Sequence, residues 1–142
     1  MNFYNHYTVI GAKLTATFVS SSNNATQGAA ICGIELSGSA TPTTTLNDIF
    51  EQGNTSYRTM TNSAAIGKVT VRKGVGLSKF LGQKVMQEDA NAGTASANPT
   101  ELVWFHVFVA PTDVGISTFT TNVQIRLDQT AILHEPKPLA GS

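Results

Sequence analysis

A chain of 142 residues and 15.0 kDa, 41% of it hydrophobic, can fill one sizeable core and leaves no room for a second full domain. Charged residues are only 13%, with nine Lys and Arg balancing nine Asp and Glu, which excludes a polycationic coat for nucleic acid and a self-repelling acidic chain. Nineteen Thr, fifteen Ala and twelve Gly favour strands joined by turns over the Glu, Lys, Leu and Arg mixture of helical bundles and coiled coils.

Residues 5–19 alternate cleanly. Ile10, Ala12, Leu14, Ala16 and Phe18 share one face, with Thr8, Gly11, Lys13, Thr15 and Thr17 between or opposite them, which predicts a half-buried strand. A polar connection over 20–28 follows, and a second strand begins near Ala29. Ala30, Cys32, Ile34 and Leu36 take its apolar face, Glu35 points the other way, and 38–42 stops it. The best helical signal is Thr45 to Gly53: Thr45 precedes the first turn, Asp48 stands three residues on, Leu46, Ile49 and Phe50 share a side, and Gly53 ends it.

Extended segments resume at 66–73, where Val69 and Val71 oppose Lys68, Thr70 and Arg72, and again at 77–86. Residues 90–98 are small and polar, as in a surface loop. Leu102 to Ala110 is apolar on both faces except for His106, the pattern of a central strand covered on both sides. Residues 119–133 alternate Val123, Ile125 and Leu127 against Gln124, Arg126 and Asp128, until Pro136 and Pro138 end the strand. About six strands with one short helix in a connection, and no helix recurring between strands, predict an all-β antiparallel sandwich of jelly-roll type in a single domain, 1–142.

Nothing in the sequence assembles a catalytic site, and the chain reads as a non-enzyme without cofactor or metal. His6, His106 and His134 lie far apart and show no metal-ligand spacing; His106 fits a hydrogen-bonded core histidine. Cys32, the one cysteine, has no internal disulfide partner and alternates with apolar neighbours, so it reads as a small buried residue. Gly74, Gly76 and Gly82 open no convincing helix and read as turn or bulge glycines rather than a phosphate loop. Glu88 and Asp89 are adjacent and would point to opposite faces of a strand, so they make no acid pair. Lys13, Lys68, Arg72 and Arg126 all fall on the non-core phase of their strands, where they can form a positive sheet face for phosphates or simply solubilise and protect edges. No apolar run reaches the length of about 18 residues that a membrane helix needs, and Met1 to His6 lacks the basic and apolar regions of a secretory signal. The expectation is a soluble chain that is not exported by a signal of its own.

The order of segments carries more. The opening Tyr4-Asn5-His6-Tyr7-Thr8-Val9-Ile10-Gly11-Ala12-Lys13-Leu14-Thr15-Ala16-Thr17-Phe18 resembles the aromatic-rich, basic-containing strand found early in capsid proteins of circoviruses and circovirus-like, Rep-encoding single-stranded DNA viruses. The middle is similar to that group too: Lys68-Val69-Thr70-Val71-Arg72-Lys73, then Ser78-Lys79-Phe80-Leu81-Gly82 and Asn98-Pro99. So is the end, Leu102-Val103-Trp104-Phe105-His106-Val107-Phe108-Val109, then Val123-Gln124-Ile125-Arg126-Leu127 and Glu135-Pro136-Lys137-Pro138-Leu139.

The resemblance covers nearly the whole chain in order, although each motif alone is a degenerate strand pattern. It implies a non-enzymatic coat protein that self-assembles into a small icosahedral shell around circular single-stranded DNA. It places the protein in the virion, and in the host nucleus during assembly, with no membrane partner and a receptor it does not identify. Proteins of that group begin with an Arg- and Lys-rich arm and a further strand, and both are missing from these 142 residues. An upstream segment is therefore expected to supply most of the genome affinity, and at least one more strand is expected from it or from a neighbouring subunit. The candidate surface or interface loops are 20–28, 38–44 and 88–99. The competing reading is a secreted β-sandwich binding module, carbohydrate-binding or adhesin-like, for which Tyr4, Tyr7 and Tyr57 are the plausible exposed aromatics.

Overall fold

The computed structural model describes residues 4–20, 28–61, 67–84, 92–94, 96–99, 102–112 and 120–136. Within them lie strands β1 (Tyr4–Ser20), β2 (Ala29–Ser37), β3 (Thr55–Thr61), β4 (Lys68–Gly76), β5 (Ala92–Thr94), β6 (Trp104–Pro111) and β7 (Thr121–Pro136). Two short helices, α1 (Leu46–Glu51) and α2 (Leu77–Leu81), stand in connections. The protein is an all-β antiparallel sandwich.

One sheet is built on β1, which pairs with β4, β5 and β7. β4 and β7 both reach the same end of β1. The Ser20 N–H donates to the Gly67 carbonyl at 2.9 Å, and the Thr121 hydroxyl donates to the Val19 carbonyl at 2.8 Å. A strand has two edges, so β4 and β7 occupy opposite sides of β1. The other sheet runs β3-β2-β6. Its central strand is in register from Ala29↔Thr61 to Glu35↔Thr55 on one side and from Ala30↔Pro111 to Ser37↔Trp104 on the other.

The chain divides into two compact units. The first, Leu14–Lys73 with Trp104–Leu127, holds the core. Leu14, Ala16 and Phe18 of β1 and Val71 of β4 meet Cys32 and Ile34 of β2 and Met60 of β3, with Val69, Phe105, Val107 and Val109 packed against them. The period-two alternation of β1 and β2 produces this arrangement directly, since every second side chain falls between the sheets. Cys32 is fully buried, and burial pushes its thiol pKa from 9.0 up to about 11.

The second unit comprises Met1–Lys13, Gly74–Val103 and Asp128–Ser142. There β5 pairs with β1 through His6↔Thr94, Tyr7↔Gly93 and Thr8↔Ala92, and His6 lies 3.4 Å from the Glu135 carboxylate.

Several segments differ from the sequence reading. Residues 77–81 form α2 instead of an extended segment, which gives the protein a second short helix. Leu77, Phe80 and Leu81 have helical spacing, and Gly82 closes the turn in the left-handed region (φ 70°). Among the described residues the strand over 104–111 lies at the edge of its sheet, and the central place belongs to β2. Its second apolar face reflects residues that lie half-buried on the outer side of the sheet, with Trp104 exposed. Residues 92–94 make a short strand inside the expected loop, where Gly93 accepts the Tyr7 ring against its backbone. Glu35 does point away from the core, yet it is buried, for a reason that belongs to the outer face of its sheet. The expectations at 21–27, Ile66, Met86, the Glu88–Asp89 pair, 90–91, Phe119 and Pro138 lie outside the described residues.

Candidate functional site

Alternation fixes what faces outward on the sheet built on β1. Leu14, Ala16 and Phe18 point into the core, so Lys13, Thr15 and Thr17 point out. On β4 the core takes Val69 and Val71, leaving Lys68, Thr70 and Arg72 on the opposite face. The hydroxyls of Thr17 and Thr70, 3.2 Å apart, join the outward sets of the two strands into one surface. Lys13, Lys68 and Arg72 are all exposed on it, with threonine hydroxyls between. Cations interleaved with hydroxyl donors suit phosphate oxygens, which accept from both and present no base edge for readout.

Arg126 is also exposed, on β7. It has an interaction within the chain, as has Asp128 two residues on in the same phase. The structure thus places Lys68 and Arg72 on the outward face of β4, beside the Thr17–Thr70 contact, and Lys13 exposed on β1 in the other unit. Arg126 lies on a different strand, β7.

The outer face of the other sheet carries a feature the sequence did not announce. The segment after β2 folds back over Glu35, where the Thr43 hydroxyl donates to the carboxylate at 2.7 Å and the Gln52 amide donates to Thr43 at 3.3 Å. The Thr55 hydroxyl holds α1 through the Ile49 carbonyl at 2.9 Å. Across the sheet from Glu35, His106 donates through Nε2 to the Ser39 carbonyl at 2.8 Å. His106 is thus hydrogen-bonded as expected, but half-buried on the outer face and not in the core. One register step along, Gly33 stands between Tyr57 and Phe108, and the Phe108 ring fills the space that a side chain at 33 would need. Tyr57 is 55% exposed and packs against Phe50, ring centroids 4.7 Å apart. The loop expected at 38–44 is therefore exposed at most positions and tied down at Ser39 and Thr43. No spacing rule pairs Glu35 with Thr43, so this closure has no sequence signal.

The described residues contain no group of three His, Cys, Asp or Glu placed to hold a metal ion. Among them, no helix is long and apolar enough to cross a membrane. No protein-family model, no curated protein and no solved structure matches the chain.

Proposed function

We propose that this protein is a structural coat subunit, a jelly-roll sandwich that self-assembles into a closed shell around single-stranded DNA. The observation that carries this reading is the order of strands. A jelly roll winds a ribbon whose paired strands are first with eighth, second with seventh, third with sixth and fourth with fifth. Its two sheets therefore read first-eighth-third-sixth and second-seventh-fourth-fifth. On this reading β7-β1-β4 and β6-β2-β3 match the last three places of each sheet, and β5, which also pairs with β1, is an additional strand outside the jelly-roll order. The place beside β7 and the place beside β6 hold no strand among the described residues. The segment order of the circovirus-like coat proteins agrees with this reading. In such a shell, strand edges and connections meet neighbouring copies, and symmetry multiplies weak contacts into a stable particle. The outward face with Lys13, Lys68 and Arg72 is proposed to contact phosphates of the enclosed nucleic acid, with Arg126 as a further contact.

The test is the mass of the full-length product in solution, by light scattering and electron microscopy, with nuclease-protected nucleic acid measured on the same sample. Particles of megadalton mass that protect nucleic acid are expected. A monomer at high concentration across salt and pH would sink the reading. The exposed Tyr57 favours a second reading, a carbohydrate-binding module, because a sugar ring stacks on an accessible aromatic. That module would stay small and would lose glycan binding in Tyr57→Ala.

A further inference from the structure

We infer that the open edge of β7 pairs with β7 of a second copy of this chain, antiparallel, about a two-fold axis at Leu127. This goes beyond the coat reading, because it gives the place beside β7, which a jelly roll assigns to its first strand, to a neighbouring copy and not to the chain's own upstream residues, and fixes the register whether or not a closed shell forms. β7 is 16 residues long and pairs with β1 alone, so its other edge carries no strand among the described residues. Every residue from 122 to 131 is exposed, on both faces of the strand. Val123, Ile125 and Leu127, at 40%, 56% and 48% exposure, form an uncovered apolar row.

Edge strands that stay alone carry charged residues, lysine above all, proline or a bulge to repel a neighbour. Along its exposed run 122–131 β7 has no lysine and no proline, and its charges there are Arg126 and Asp128, of opposite sign. Such an edge is suited to strand addition, with main-chain hydrogen bonds holding the pair and side chains fixing its register.

The charges choose the occupant. With the axis at Leu127, Arg126 of each copy stands opposite Asp128 of the other, giving two complementary pairs around a Leu127–Leu127 contact. Val123 then faces Ala131, and Ile125 faces Gln129, whose stem covers it. Moving the axis to residue 126 sets Arg126 against Arg126, and moving it to 128 sets Asp128 against Asp128, both like-charge contacts that destabilise a ladder. An axis at Ile125 aligns the apolar residues but leaves Arg126 opposite Gln124. The Leu127 register also pairs the whole exposed run, since 122 meets 132 and 123 meets 131. A strand that complements itself in this way describes an isologous contact, the same surface used by both partners. Arg126 and Asp128 keep their interactions within the chain, and the second copy adds to them.

The test uses the full chain with L127C, I125C or V123C introduced singly and oxidised under native conditions. Cys32 is fully buried and does not compete. Residues directly opposite in an antiparallel pair have Cα atoms about 4.5–5.5 Å apart, within the reach of a disulfide, about 4.4–6.8 Å. L127C is therefore expected to link to itself, whereas the two copies of residue 123, about 26 Å apart at this register, are not. R126D should weaken association about tenfold, and R126D/D128R should restore it, since the swap keeps every cross-pair complementary. Linking of I125C in preference to L127C, or equal linking at all three sites, overturns the register. Absence of linking overturns the pairing itself, including the case where other residues of the same chain cover the edge. Particle mass measured alongside separates the two proposals: linked dimers without particles refute the shell and keep this interface, and particles without L127C linking do the reverse.

Discussion

Phe18 and Trp104 are both large aromatic residues on strands, and their environments assign them very different weights. Phe18 is fully enclosed between the sheets, whereas Trp104 keeps 40% of its surface in solvent. Phe18→Ala should cost about 3–5 kcal/mol of unfolding free energy in urea titrations. Trp104→Ala should cost only about 1–2 kcal/mol, because much of its apolar surface is already exposed. Two glycines separate in the same manner. A Cβ at Gly67 would come 2.6 Å from the Thr61 carbonyl oxygen, which is backbone, and a Cβ at Gly33 would meet the Phe108 ring at 2.3 Å. The ring can turn outward and the carbonyl cannot, so Gly67→Ala should lower the melting temperature more than Gly33→Ala. The Gly33 penalty should shrink in a Phe108→Ala background, as a double-mutant cycle would read. Cys32 gives a pH dependence. Burial holds its thiol at about 11 against 9.0 for an accessible one, so the folded state favours the protonated form. Its contribution to stability is complete below pH 9 and is lost as pH rises toward 11. Denaturation midpoints over that window should fall less in Cys32→Ala than in the native chain, and the native thiol should react with alkylating reagents at pH 8 only upon unfolding.

At the scale of elements, the closure over Glu35 depends on a relay in which Gln52 donates to Thr43 and Thr43 donates to the carboxylate. Thr43→Val removes the last donor and leaves a buried carboxylate one bond short, which should cost about 1–3 kcal/mol. Glu35→Gln keeps an acceptor for Thr43 and should cost less, so the order of the two melting temperatures tests whether the relay holds the segment down. What the sequence makes visible follows from the same geometry. β1 and β2 are legible because one face meets a core and the other does not, which writes the burial into alternate residues. The Leu102–Ala110 run misleads because an apolar residue half-buried on the outer face of a strand, such as Phe108 over Gly33, looks the same in sequence as one covered on that face. β7 shows the opposite failure: Val123, Ile125 and Leu127 alternate as expected, but alternation names a face without saying whether anything covers it. The phase of Lys13, Lys68 and Arg72 was readable strand by strand. That the outward faces of β1 and β4 adjoin was not, since it rests on the Thr17–Thr70 contact between residues fifty-three positions apart.

For the whole molecule, a formal charge of zero limits what the domain can do alone with nucleic acid. If Lys13, Lys68 and Arg72 each meet a phosphate, replacing any one by Ala should weaken single-strand binding modestly. It should also reduce the slope of log affinity against log salt by about 0.7. A salt slope that does not change in the triple variant would remove this face from the interface. Sequence preference should be unaffected in all three, since phosphate contacts position a strand without reading its bases.

The register of β2 also sets the order in which the protein can fold. Its pairs with β3 join residues twenty to thirty-two positions apart, whereas its pairs with β6 join residues sixty-seven to eighty-one apart. Loop closure makes the nearer partner cheaper to capture, so the β2–β3 hairpin is the natural nucleus and β6 docks onto a ribbon already formed. Refolding should therefore be slow for a chain of this size, on the order of milliseconds to seconds. Substitutions at the β2–β3 seam, such as Met60→Ala, should slow folding, while Val107→Ala on β6 should chiefly speed unfolding. In a chain emerging from the ribosome, β2 and β3 would be paired long before β6 is made, and the flank of β2 that β6 later covers would wait open for the span of synthesis between them.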